Sequence, residues 1–467
     1  MGDYMLNSKI SVISLTLMTI GAVDNIRNLP SIAVFGKQIP FFYLVASLFF
    51  FIPCALVSAQ LSSTKGVQNG VYHWVKRAFG PRFGLTAVWL QWVENLVWYP
   101  TLLAFIAGTL GYWISPELSQ RHDYLIITSI LCFLLVSVMN LYGLKLSATF
   151  SSFCSILGLL VPMLVIILLG AHWYFYGKPI SNILTATRFI PKIFDLNTWT
   201  ALTSVVMSLC GVEITTAHVN RAINPQKNYP KALLTATFVI LTTLILASLS
   251  IAIVVPSADL SFVSGIAQSL EIFLKEHDLL MLLKYFIFSA AIGSLGTLNN
   301  WLLAPIQGLH EAAKDGLLPK IFSSTNRHGI PVALHLAQTI VVILLICLFA
   351  YFPTINSAYW FMTVLASQLY MLMYIMMFIS FIKLRNQPDF IFRIPGGNKV
   401  GFIVAVLGMI GCFVTILVGF IPFNNNWHIG SYAITVLCTL LFVTLLPNIF
   451  GIKIRKKIIT DFQGVFY

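Results

Sequence analysis

Apolar runs long enough to cross a lipid bilayer follow one another almost without pause through this chain, and that pattern leaves few folds open. A bilayer core takes about 20 consecutive apolar residues per helix. Twelve runs qualify: 10–36, 40–62, 84–114, 123–143, 147–176, 197–219, 231–256, 280–304, 331–352, 357–382, 400–421 and 428–450, numbered here as spans 1 to 12. Of the 467 residues, 9% are charged and 58% hydrophobic, against about 25% charged in a soluble domain. Backbone groups in lipid must bond within the chain, so open runs of this kind form helices. An all-α integral membrane protein with 12 transmembrane helices is expected. The first run lacks a small-residue cleavage site and reads as a retained span, not a signal peptide. Residues 259–275 mix polar and apolar side chains and are expected to form an external surface helix.

The formal net charge of +13 would suggest nucleic acid in a soluble protein, but its distribution suggests otherwise. With the N-terminus inside, about 20 of the 28 Lys and Arg fall in cytoplasmic segments, the positive-inside pattern. They include Lys65, Lys76, Arg77 and Arg82 in one loop, and Lys453, Arg455, Lys456 and Lys457 after span 12. A multi-pass membrane protein with both termini cytoplasmic is expected, with lipid and no nucleic acid as partner. The seven cysteines are scattered singly, without metal-ligand spacing or a disulfide framework. No Walker loop, dinucleotide fingerprint or Gly-x-Ser-x-Gly elbow is present, and most of the nine histidines lie in loops or near span ends. Neither an enzyme nor a nucleotide-driven pump is expected, and no cofactor or metal.

Four ionisable residues nevertheless lie inside the apolar runs: Asp24, Arg27, Glu94 and Glu213. An ionised side chain at the bilayer centre costs roughly 2.5–3.5 kcal/mol on insertion scales, so it faces protein or a water-filled cavity. Two of the runs are also interrupted by Gly and Pro, around 21–30 and 211–230. Span 1 is expected to break over Gly21, Ala22, Val23, Asp24 and Asn25, and span 6 over Cys210, Gly211, Val212 and Glu213. Each would open a five-helix unit, 10–176 and 197–382, with spans 11 and 12 (400–450) appended in a single transporter domain. An odd number of helices per unit inverts the second copy, giving a 5+5 inverted repeat with discontinuous helices 1 and 6. That is the pattern of secondary transporters that bind substrate near the midplane. Glycine also serves simple helix packing, the reading that suits Gly108, Gly158 and Gly408.

An unwound helix offers free N–H groups to a carboxylate and free carbonyls to an ammonium, so an amino acid or related amine is the expected substrate. Glu213 is a candidate proton carrier or switch, or else a neutral acid that holds the helix break in shape. Asp24 and Arg27, three apart, can pair on a continuous turn; alternatively they contact the charged groups of the substrate, with Arg27 also a gating candidate. Glu94 lines the pathway or bonds across to span 1. Trp301, Tyr370 and Tyr374 are candidates to close over substrate, the two tyrosines sharing one helical face. Interfacial belts and packed cores are the competing fate of such aromatics.

The run GVEITTAHVNRAINPQKNYPKAL (211–233) and the loop GVQNGVYHWVKRAFGPRFG (66–84), supported by HGIPVAL (328–334) and IPGG (394–397), carry a resemblance. The chain resembles the amino acid–polyamine–organocation superfamily over nearly its whole length, and most closely the bacterial glutamate/GABA antiporter branch. The resemblance implies alternating access around a central site, with Glu213, Trp301, Tyr370 and Tyr374 at positions that match the family's site residues. Asp24 and Arg27 do not match the family's span 1, and Arg221 stands where the branch has Glu. Residues 451–467 alone follow span 12, so the basic C-terminal plug of acid-resistance antiporters is not expected. The function expected is secondary active amino acid transport by glutamate/GABA-like exchange, as monomer or homodimer. The alternative is a proton- or sodium-coupled amino acid or polyamine symporter on the same fold. A nontransporting receptor would have no need of two charged breaks in matching positions.

Overall fold

The computed structural model describes residues 11–64, 70–141, 154, 158, 160–181, 188–192, 195–213, 223–423 and 428–463. Nearly all of them are helical, and the sole strand-like pairing among them is an isolated bridge between Thr64 and Phe390. Among the described residues nine helices are long and apolar enough to span a membrane: Gly36–Ser62, Pro81–Ile114, His122–Leu141, Pro225–Val254, Leu280–Lys314, Val332–Tyr351, Ile355–Leu384, Gly397–Val418 and Ile429–Pro447. These are spans 2, 3, 4 and 7 to 12. Spans 1 and 5 contribute the shorter apolar helices Val12–Val23 and Val161–Phe175, and span 6 the helix Ala201–Ser208. The expected continuation of span 6 through 214–220, Arg221, Lys65 and most of 142–159 lie outside the described residues.

Span 3 runs through the middle of the bundle, packed along spans 8 and 10. Of its most apolar window 78% is buried, against 33% for span 11 and 17% for span 12, which places the last two helices at the periphery. The segment after span 7 forms the helix Gly265–Glu276, one face of it buried through Ile266, Leu270 and Phe273. Gly265 seats this helix on span 1, since a Cβ there would lie 2.8 Å from Pro30 Cβ.

Close packing explains several glycines. A Cβ on Gly158 would sit 2.3 Å from Gly293 Cα, one on Gly108 would meet Val263 at 2.8 Å, and one on Gly408 would meet Phe378 at 2.2 Å. Small residues let membrane helices approach to backbone contact, where dispersion drives association. The packing role expected for Gly108, Gly158 and Gly408 is the one they have.

Spans 1 and 6 both lose their regular winding. The span 1 helix runs to Val23, past the expected break at Gly21, because the Asp24 N–H still donates to Ile20 O at 2.8 Å. Asp24 (ψ 121°) and Asn25 (φ −144°, ψ 120°) are extended. Asn25 Oδ1 then accepts the Arg27 N–H at 2.9 Å, the N-cap bond that restarts winding. A 3-10 turn over Ile26–Asn28 and the helix Leu29–Ala33 follow. Pro30 falls in that helix's first turn, where a missing N–H costs nothing. In span 6 the Leu209 N–H tightens onto Val206 O at 3.0 Å, and Gly211 adopts φ +108°. Side chains other than glycine rarely enter that region.

Candidate functional site

The two breaks face one enclosed cavity. Asn25 and Arg27 line it from span 1, Glu94 and Trp98 from span 3, and Cys210 from span 6. Trp301 of span 8 and Tyr370 of span 10 complete the wall. Its volume is about 30 Å³, room for a water or two and not for an amino acid. The site is therefore occluded in this conformation.

Each wall residue is held by a specific local cause. Pro305 interrupts the span 8 ladder, so the Trp301 carbonyl four residues earlier has no helical donor. Tyr99 Oη donates to that carbonyl at 2.9 Å, and Gln338 Nε2 donates to the next one, Leu302 O, at 3.1 Å. These bonds fix Trp301 beside Trp98, ring centroids 5.8 Å apart. On span 3, Asn95 Nδ2 donates to Glu94 Oε2 at 2.8 Å and to Gln91 O at 2.9 Å, orienting the carboxylate. Ser31 and Ser204 hydroxyls meet at 2.8 Å and tie the two broken helices together.

Glu213 is held by both tyrosines of span 10. Tyr370 Oη donates to its Oε1, and Tyr374 Oη donates to its Oε2 at 2.6 Å. The Gly211 N–H reaches Tyr374 Oη at 3.4 Å. The four-residue spacing expected to put both phenols on one face brings their rings to 4.7 Å. A second cavity, of about 720 Å³, opens at the end of the bundle that carries Lys314, and Glu213 lines its inner end. Glu213 and Tyr370 thus form the partition between this vestibule and the central cavity.

A third cavity, of about 480 Å³, lies beyond the opposite end of span 3, lined by Gln120, Asp259 and Asn356. Stacked aromatics close it off from the centre. Trp360 and Phe423 stack at 4.2 Å, and Phe35 and Phe262 pack against both at 5.9–6.3 Å. Tyr359 continues this cluster inward, 5.8 Å from Phe262, and its hydroxyl donates to Arg27 O at 3.2 Å.

Asp24 and Arg27 do not pair. The extended backbone between them turns Asp24 toward span 7, where Oδ2 accepts from Thr243 Oγ1 at 3.0 Å. Arg27 points the other way, donating from Nη1 to Thr101 Oγ1, with its guanidinium over the rings of Trp98 (5.2 Å) and Tyr359 (5.6 Å). Of the expected site residues, Val23, Asn25, Cys210, Trp301, Tyr370, Glu94 and Arg27 line the central cavity. Glu213 lines the vestibule, and Gly211 and Tyr374 stand behind it. Gly21 lies earlier in the helix with nothing within 4 Å of its Cβ position, and the side chain of Ala22 lies outside the described residues. Trp98, Thr101 and Tyr359 escaped sequence reasoning. The one available signal was that Trp98 falls four residues after Glu94, on the same helical face.

Gly211→Ala tests whether the span 6 break must keep this backbone. A non-glycine residue at φ +108° carries about 1–3 kcal/mol of strain. A loss of substrate flux of about tenfold or more is expected in reconstituted vesicles, without loss of monodisperse protein.

Comparison with known proteins bears on this geometry. The amino acid permease family model matches residues 10–445. An uncharacterized transporter of Legionella pneumophila is 40% identical over 88% of this chain and 89% of its own. A glutamate/gamma-aminobutyrate antiporter of Lactococcus lactis is 27% identical over 95% of this chain and 90% of its own. Among solved structures, the manganese transporter of Eremococcus coleocola matches with a TM-score of 0.54 at 12% identity, over 94% of each chain; that likeness concerns the fold alone. A match across nearly all twelve spans, on a chain with two interrupted helices around a buried polar cavity, leads to one assignment: the chain belongs to the amino acid permease family of the amino acid–polyamine–organocation superfamily and is a multi-pass membrane transporter, not an enzyme.

Proposed function

We propose that this protein exchanges amino acids across the bacterial inner membrane by alternating access, in the manner of a glutamate/GABA antiporter. The observation that carries the proposal is the pair of helix breaks at Asp24–Asn25 and Leu209–Gly211 facing one polar cavity between two larger, unconnected ones. Unwound backbone at bilayer depth persists where it lines a cavity and meets a ligand. The two halves, 10–176 and 197–382, would form the inverted repeat. Rocking one bundle against the other would open the Glu213–Tyr370 partition on one side and the Trp360–Phe423 stack on the other. The vestibule, beside the helix Val71–Phe79 that carries Lys76 and Arg77, would face the cytoplasm, as would both termini. Similarity to a glutamate/GABA antiporter along 95% of the chain supports exchange of an amino acid against a related product.

Counterflow in proteoliposomes tests this reading. Uptake of labelled glutamate is expected to rise about tenfold or more when glutamate or GABA is loaded inside, with no requirement for a proton or sodium gradient. Net uptake into unloaded vesicles that follows an ion gradient would instead identify a symporter.

A further inference from the structure

We infer that Arg27 is the receptor for a substrate carboxylate, so that the central site selects carboxylate-bearing substrates and rejects amines that lack one. The inference rests on the central cavity being the substrate-binding site of the reading above. Arg27 lies at the span 1 break, lines the cavity, and is 0% exposed. Its donors are unevenly used. Nη1 donates to Thr101, while Nε and Nη2 are buried and have no acceptor. These two nitrogens form one planar edge of the guanidinium, the edge whose parallel N–H bonds fit the two oxygens of a carboxylate. The guanidinium carbon lies 5.2 and 5.6 Å from the ring centroids of Trp98 and Tyr359, cation–π contacts that leave both donors of that edge unmet.

No carboxylate of the protein fills that role among the described residues. Asp24, the neighbour in sequence, is engaged by Thr243 on span 7. Glu94 lines the same cavity but makes no ion pair with Arg27, and its Oε2 is held by Asn95. A desolvated guanidinium with unmet donors is costly, and one bidentate anion removes the cost. Glu94, on the same cavity wall, then suits the ammonium of the same molecule. A diamine would leave Arg27 unmatched and add a like charge beside it, so discrimination against it is built in.

The test measures binding to the purified full-length protein in nanodiscs, with glutamate, glutamine, GABA and putrescine as probes. Wild type is expected to bind the carboxylate-bearing probes and to bind putrescine at least about 30-fold more weakly. Tight glutamate and glutamine with weak GABA would mark the α-carboxylate as the ligand of Arg27. Tight glutamate and GABA with weak glutamine would mark the distal carboxylate. Arg27→Lys, which keeps the charge and loses the paired edge, is expected to weaken the preferred probe about 10- to 100-fold. Arg27→Gln is expected to erase the preference over putrescine. The wild-type panel needs no variant to fold. Putrescine bound as tightly as glutamate by wild type, no binding of any probe, or wild-type affinity in Arg27→Lys would overturn the inference. Arg27-dependent binding without any counterflow would uphold it and defeat the carrier reading; counterflow indifferent to Arg27 would do the reverse.

Discussion

Glu213→Ala is expected to lower exchange at least about 100-fold while leaving a folded protein. Both carboxyl oxygens accept from phenols, Tyr370 and Tyr374, and these bonds join the span 6 break directly to span 10. Hydrogen bonds to a charged group are worth about 1.5–3 kcal/mol each, and each 1.36 kcal/mol is tenfold in rate. Losing two of them frees the partition between vestibule and cavity and leaves two buried hydroxyls without their acceptor. Single Tyr370→Phe and Tyr374→Phe changes remove one bond each and are expected to cost about tenfold. Glu213→Gln separates the two roles open to this residue. An amide preserves shape and one good acceptor, so a purely structural Glu213 predicts a loss of about tenfold that is uniform with pH. A proton-carrying Glu213 predicts that the acid-to-neutral dependence of exchange disappears in the Gln variant.

The second large effect concerns folding, not transport. Gly293→Val is expected to prevent accumulation of monodisperse protein, because a Cβ at Gly293 would lie 2.3 Å from the Gly158 carbonyl carbon and 2.5 Å from its oxygen. Backbone cannot step aside as a flexible side chain can, so span 8 must lift off span 5 and forfeit the packing that substitutes for hydrophobic association in lipid. Gly293→Ala is expected to cost about 1–3 kcal/mol, read as a lowered Tm in detergent. Arg121→Ala supplies the contrast: its pair with Asp123 is exposed and screened by solvent, so Tm is expected to stay unchanged.

Most of the membrane architecture could be read from the sequence, since bilayer thickness sets one length scale that every apolar run either meets or misses. Spans 2, 3, 4 and 9 to 11 follow from it within a few residues, whereas the span 7 helix begins earlier than expected, at Pro225, and the span 8 helix runs on to Lys314. The helix breaks were legible as regions, not as positions. Gly21 carries the flexibility, but winding stops where Asn25 can cap the next turn, and capping geometry is decided by the backbone after the break. The fate of the buried charges was the least legible part. Asp24 and Arg27 look like partners on paper, yet one extended peptide sends them to spans 7 and 3, and nothing local signals Thr243, Thr101 or Tyr359. Glu213, Tyr370 and Tyr374 were each singled out, the tyrosines through their four-residue spacing. That both tyrosines bond to Glu213 depends on the long-range packing of span 6 against span 10. Trp301 owes its place to Pro305 and Tyr99, a compensation visible only once the unpaired carbonyl is located.

Cys210 offers the most direct test of the central claim, because this thiol lies in the cavity wall at the span 6 break. Proteoliposomes would be exposed to a small membrane-impermeant thiol reagent from either side, and modification of Cys210 read by mass spectrometry, which separates it from the other six cysteines. Alternating access predicts modification from both sides, slowed on both by any substrate that the protein exchanges. Modification from one side alone, or at a rate that no exchanged substrate alters, would contradict a transport site between the two broken helices.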